Sequence, residues 1–411
     1  MAARLPRGAC SDRRGTMDYR FSDTQRQRVE AAFAFARGEL APHSDDWDRE
    51  GHFPLKAIAR AAAQGYLGLS ASPAHGGLGL SALDESLVLE QLASGCGATA
   101  AFIALHNVAA WTVDRFADDA LKAHWLSRLC AGEVLVAFAL GEATPTPLRA
   151  TRDDDGYRLD GLPGAVPAAA ASDLLLVDAE LEDAGPTLFL LPVAAEGVGF
   201  GAEEPRSGWR ALPSRPLRID SARVAAGQRL GAEGQATEAL RRARERAHLA
   251  LAAVAVGNAQ AALGQVLRDP RHTGVPEPSP LTVDQVPEAL AEPYAALIAG
   301  QQLVRLAAGQ LDDDAPQAGL LCAAAKHYTD HHGPRLCRAA LQLRASSGYL
   351  NDYALDRRAR DSEMHTGVQG RDEHLRAAIA RRLHASQALQ APPQAAASEA
   401  AAESEAPCAA P

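Results

Sequence analysis

Positive charge is in deficit along this 411-residue chain: 41 Lys and Arg stand against 51 Asp and Glu, a formal net charge of −10. Nucleic-acid binding as a main task is thereby excluded, because phosphate contact needs a basic footprint. Cysteine is sparse, and the six present (Cys10, Cys96, Cys130, Cys322, Cys337, Cys408) form no C-x-x-C pair. That spacing excludes a disulfide frame or zinc site and suits a reduced, cytoplasmic protein. No uncharged apolar run approaches the ~18 residues of a transmembrane helix, so no membrane span is expected. The opening MAARLPRGACSDRRGT has charge but no apolar centre, which excludes a secretory signal. Met17 begins a more natural start, and residues 1–16 are expected to be disordered or an upstream mis-start.

Aromatics are also few, at 5%. Alanine fills their place, and alanine favours helix and close helix packing. Three zones follow from the patterning. Residues 17–133 carry apolar residues every three or four positions, as in FPLKAIARAAAQGYLGL and LDESLVLEQLASG, and read as a helical domain. Residues 134–233 switch to short runs separated by turn signals: VLVAFAL, GYRLDG, DLLLVDAEL, PTLFLLPV and RPLRIDSARV. They read as a β barrel or sandwich. Long Ala/Leu helices return over 234–385, at 236–268, 287–311, 316–345 and 371–385, and make a bundle. The Ala/Pro/Glu-rich end, 386–411, lacks the apolar side chains of a core and is expected to be a disordered tail.

No self-sufficient catalytic motif stands out. Phosphate-binding Gly-rich loops and a G-x-S-x-G elbow are absent from the sequence. His331 and His332 point about 100° apart on a helix and read as surface histidines, giving no metal site. Asp312, Asp313 and Asp314 before Pro316 read as a helix boundary. The basic runs RRARER (241–246) and RRAR (357–360) read as solvated faces or interface charge.

Several stretches, in order, carry a family likeness. DREGHFPLKAIARAAAQGYLGLSASPAHGGLGLS (48–81), FIALHNVAAW (102–111), SGWRALPSRPLRIDSARV (207–224) and QLRASSGYLNDYALDRRARDS (342–362) resemble segments of the acyl-CoA dehydrogenase family. The likeness is greatest to its short branched-chain, isobutyryl-CoA-oxidising members, and it runs from about Phe21 to His384. It implies a mainly α fold with a central β domain and a C-terminal four-helix bundle. It also implies an oligomer, a tetramer or dimer, with FAD between β domain and bundle. The reaction implied is α,β-dehydrogenation of an acyl-CoA in fatty-acid or branched-chain amino-acid catabolism, with an electron-transferring flavoprotein as the reoxidant of an active member.

The same likeness marks what has changed. In RDSEMHTGVQGRDE (360–373), Gln369 occupies the place of the family's catalytic glutamate. An amide carries no basic lone pair at useful pH, and loss of a general base costs about 10² to 10⁴ in rate. Some members place the base on the helix at 236–268, where the matching position is Ala247. Glu245 lies about 200° around that helix and is expected on the wrong face. LGEATPTPLRA (140–150) stands where the first flavin loop would be, and GLPGAVPAAAAS (161–172) offers neither the usual aromatic ring nor a hydroxyl beside a flavin. LRDPRHTGVPEPSP (267–280) replaces the adenine-side motif, and Ala345-Ser346 replaces a glycine pair. The cofactor positions that keep the pattern are Leu140, Gln342, Gly348, Gly370 and Glu373.

The expectation is therefore a family member with its base and flavin motifs eroded. It is expected to be inactive alone, a pseudoenzyme assembling with itself or with an active relative. The alternatives are an active FAD-dependent short branched-chain dehydrogenase with a relocated base, and a redox-inactive acyl-CoA binding protein.

Overall fold

The computed structural model describes residues 21–140, 146–268, 290–343 and 354–390. Six helices come first: α1 (Asp23–Phe35), α2 (Ser44–Glu50), α3 (Leu55–Ala63), α4 (Ala82–Gly95), α5 (Gly97–Phe116) and α6 (Asp119–Cys130). The starts of α1, α4 and α6 are capped by short oxygen-bearing side chains, which satisfy backbone N–H groups that a first turn leaves unbonded. Ser22 forms a capping box with Gln25, and Asp118 accepts from the Leu121 N–H. At α4, Ser81 is joined by Asp312, whose carboxylate accepts from the N–H groups of Ala82 and Leu83 at 2.6 and 3.1 Å. The acidic turn at 312–314 is thus a helix boundary that also caps a second helix across the molecule.

Eight strands follow: β1 (Val136–Ala139), β2 (Thr146–Asp153), β3 (Gly156–Pro167), β4 (Leu174–Leu181), β5 (Gly185–Pro192), β6 (Val198–Phe200), β7 (Ser214–Ala225) and β8 (Arg229–Leu230). They form one mixed sheet in the order β6-β7-β3-β2-β4-β5-β8, with β1 parallel to β4. The continuous apolar runs of β4 and β5 have a physical reason. Leu174, Leu176, Leu188 and Leu190 join the core of the helical parts. Their alternating neighbours Leu175, Val177, Phe189 and Leu191 join a second core with residues of β2, β3 and β7. A strand buried on both faces needs no polar alternation, and the sheet rolls around its own core. β2, TPLRATRD, is too polar to declare itself; it occupies the second half of the segment that the sequence assigns to a flavin loop.

The last helices are α7 (Thr237–Arg268), α8 (Ala291–Asp312), α9 (Ala318–Leu343), α10 (Ala354–Met364) and α11 (Asp372–Gln390). α11 runs past residue 385 into the stretch expected to be tail. Contrary to the expectation from the sequence, the Thr237–Leu267 stretch of α7 is long and apolar enough to cross a membrane. Of its apolar window, 78% is buried inside the protein, as befits a bundle's central helix. Small residues let it sit close: a Cβ at Gly257 would stand 2.0 Å from the Glu90 carbonyl oxygen of α4.

α10 ties the parts together. Arg357 donates to Asp45 at 2.7 Å and lies 3.6 Å from Asp361. Arg360 bonds Asp48 of α2 and the Ser207 carbonyl, both at 2.7 Å. Asp361 accepts from the Trp209 N–H at 2.7 Å. Arg358 reaches Asn258 of α7 and the Ser94 carbonyl of α4. Burial lowers its guanidinium to about 10. The run RRAR is therefore no solvated face. Arg357 and Arg358 are buried, and their charges are met by partners from three directions.

Candidate functional site

Directly after α10 comes a loop, residues 365–370. Lys326 of α9, fully buried, donates to the His365 carbonyl at 2.7 Å and pairs with Asp330. Burial pushes Asp330 up to about 6 against the pull of Lys326. The His365 ring meets Trp209 edge to face at 4.9 Å, and neither ring nitrogen has a hydrogen-bond partner among the described residues. Burial first, and Lys326 second, hold that imidazole down to about 3, so it is neutral.

Gln369 sits at φ +53°, a left-handed conformation that strains a side-chain-bearing residue, and Gly370 follows at φ +128°. The Gln369 amide donates through Nε2 to the Leu140 carbonyl oxygen at 3.4 Å. Its buried Oε1 has no partner among the described residues. Leu140 and Gln369, far apart in sequence, thus meet through the backbone of one and the side chain of the other.

Beside this loop a cleft of about 640 Å³ opens between α7 and α11. α7 contributes Leu240, Arg241, Arg244, Glu245 and His248, a stripe at helical spacing. α11 contributes His374, Leu375, Ala378, Arg381 and Arg382, and Pro186 of β5 lies at the edge. Four guanidinium groups and two imidazoles face one carboxylate. That carboxylate is clamped: Glu245, 4% exposed, accepts from Arg241 at 2.8 Å and pairs with Arg382. His248, 7% exposed, abuts the loop, since a Cβ on Gly370 would stand 3.4 Å from its Nε2.

The residues singled out in the sequence are sorted by this geometry. Gln369, Gly370 and Leu140 share the loop site. Ala247 is fully buried and does not line the cleft. Glu245, expected on the wrong face, does line it, but as one arm of an arginine clamp. Gln342 and Glu373 are exposed, and Gly348 lies outside the described residues. RRARER is only in part a solvated face: Arg241 is exposed at the cleft and Arg244 lines it, while Arg246 pairs with buried Glu85 and stacks on Trp111 at 4.3 Å. His327 bonds Asp372 of α11 and His332 stacks on Tyr328; no metal-competent cluster exists among the described residues.

The stretch at 161–172, which the resemblance places beside a flavin, offers it neither an aromatic ring nor a free hydroxyl. The end of β3 and the turn after it present Ala165, Val166, Pro167 and Ala168, and the one hydroxyl there, on Ser172, donates to the Ala168 carbonyl. Residues 141–145, 269–289 and 344–353, where the resemblance locates other flavin contacts, lie outside the described residues.

Comparison with known proteins gives concordant matches. The model of the acyl-CoA dehydrogenase N-terminal domain matches residues 22–133, and that of the C-terminal domain matches residues 233–384. Mitochondrial isobutyryl-CoA dehydrogenase of Bos taurus is 30% identical over 372 residues, 88% of this chain and 89% of that protein. Its counterpart in Dictyostelium discoideum is 30% identical over 373 residues, with the same shares. Among solved structures, butyryl-CoA dehydrogenase from Megasphaera elsdenii superposes with a TM-score of 0.83 at 24% identity, over 89% of this chain and 100% of that one.

Proposed function

The chain belongs to the acyl-CoA dehydrogenase family, and from that premise we propose that it binds an acyl-CoA thioester in the α7–α11 cleft without dehydrogenating it unaided. The observation that carries the reading is the pairing of an arginine-lined cleft with an amide at the loop beside it. Guanidinium groups match phosphate geometry and charge, so an arginine-lined cleft suits the polyphosphate end of coenzyme A. The volume lies within the range of small-ligand sites. Gln369 is held by the Leu140 carbonyl and has no proton-accepting atom of useful basicity. The wall at 161–172 lacks a ring or free hydroxyl for FAD, so no hydride step is assigned to this chain alone. Assembly with itself, or with a relative that carries an intact base and flavin, supplies the setting in which such a fold acts.

Titration calorimetry with isobutyryl-CoA and with isobutyryl-pantetheine, which lacks the phosphates, tests the binding. The coenzyme A ester is expected to bind at least about tenfold more tightly, a preference that weakens in high salt and in Arg381→Ala. Equal affinity for the two, or none for either, overturns the reading. A visible spectrum after incubation with FAD and desalting tests the second half, with a colourless protein expected and a stoichiometric flavin band refuting it.

A further inference from the structure

We infer that His248 removes the α-proton of the bound thioester, a transfer that Gln369 cannot perform. The inference rests on the reading that the cleft holds an acyl-CoA ester.

Elimination within the cleft leads to this residue. Arg241, Arg244, Arg381 and Arg382 keep their protons at any working pH and cannot act as bases. Glu245 is locked between Arg241 and Arg382. Two imidazoles remain, the side chains in the cleft with a ring nitrogen that can accept a proton. His374 stands exposed at the first turn of α11. His248 is buried in the cleft wall, within 3.4 Å of the space beside Gly370, and so adjoins the loop that carries Gln369.

The step balances without a redox partner. The α-carbon–hydrogen bond breaks, its electron pair delocalises onto the thioester oxygen, and the proton moves to a ring nitrogen of His248. The ring exchanges that proton with solvent and returns one to carbon. Nothing is oxidised or reduced, and the net result is exchange of the α-hydrogen. His248 would thus rehouse the proton half of the family's chemistry independently of the hydride half.

The test is full-length protein with isobutyryl-CoA in D2O, with mass increase at the α-carbon followed against a protein-free control. Wild type is expected to incorporate deuterium. His248→Asn and His248→Gln are expected to slow incorporation by about 10² or more. Their isobutyryl-CoA affinity, read by calorimetry, separates a loss of binding from a loss of proton transfer. Imidazole added to His248→Ala is expected to restore part of the exchange. Equal rates in wild type and His248→Asn overturn the inference, as does a wild type that binds the ester without exchange; both leave the binding reading standing. A wild type that binds no ester overturns the reading, and the inference with it.

Discussion

α10 and the loop that follows it are neighbours in sequence and opposites in chemistry. In α10 each buried charge meets a partner: Arg357 has Asp45 and Asp361, Arg358 has Asn258 and two carbonyls, and Asp361 has the Trp209 N–H. In the loop the pattern lapses. His365 is buried with both ring nitrogens unbonded, and Gln369 leaves its oxygen unbonded, among the described residues. The contrast is one of degree: Arg357 Nη1, Arg358 Nε and Asp361 Oδ2 also lack a hydrogen-bond partner among the described residues, but each of those side chains is bonded through another atom, whereas the His365 ring is bonded through none.

The largest way to break that contrast is in α10. Arg357→Met leaves Asp361 buried without its nearest cation, and removing one partner of a buried pair costs about 3–5 kcal/mol. Chemical denaturation should show that loss, and a change under about 1 kcal/mol would mean the network is not structural. The next effect lies in the loop and depends on pH. His365 has its folded-state value depressed to about 3, so folding is favoured above the ordinary imidazole value near 6.5 and loses stability as pH falls towards 3. At pH 5 the cost from this one residue is about 2 kcal/mol. His365→Phe should flatten the acid limb of a stability-against-pH curve by that amount; an unchanged limb would show that the ring is protonated or solvated.

The smallest effect sharpens the comparison most. Gln369→Glu replaces the amide that donates to the Leu140 carbonyl with a group that, once ionised, only accepts. The expected loss is about 1–2 kcal/mol. A carboxyl facing a carbonyl oxygen has its folded-state value raised, so the loss should appear as pH rises through the ordinary carboxylate range and be absent below it. Urea midpoints at pH 4 and pH 7 check this. Equal midpoints for the two proteins at both values would show that the loop readily re-forms around a charge.

Much of the fold was legible because packing writes itself into periodicity. The helices of the two helical zones and the doubly buried strands β4 and β5 announced themselves through apolar spacing, including Leu375 at the start of α11. The site was legible only in part. Gln369 was marked by type, but its tether to Leu140 depends on a left-handed backbone that no glutamine advertises. The arginines of α7 and α10 looked like surface because charge runs usually are; burial with partners drawn from other elements is invisible to a one-dimensional reading. His248 carried no motif at all, and only the approach of Gly370 sets it apart.

The cleft's two walls also have a history in time. One wall is a stripe on α7; the other belongs to α11, the last helix described, which the ribosome delivers long after α7. Most of the hydrophobic core of the N-terminal helices and sheet can form before then. A nascent or C-terminally clipped chain would hence possess the fold's interior while presenting Arg241, Arg244 and His248 along an open groove. Completion of the chain gives that groove its second wall.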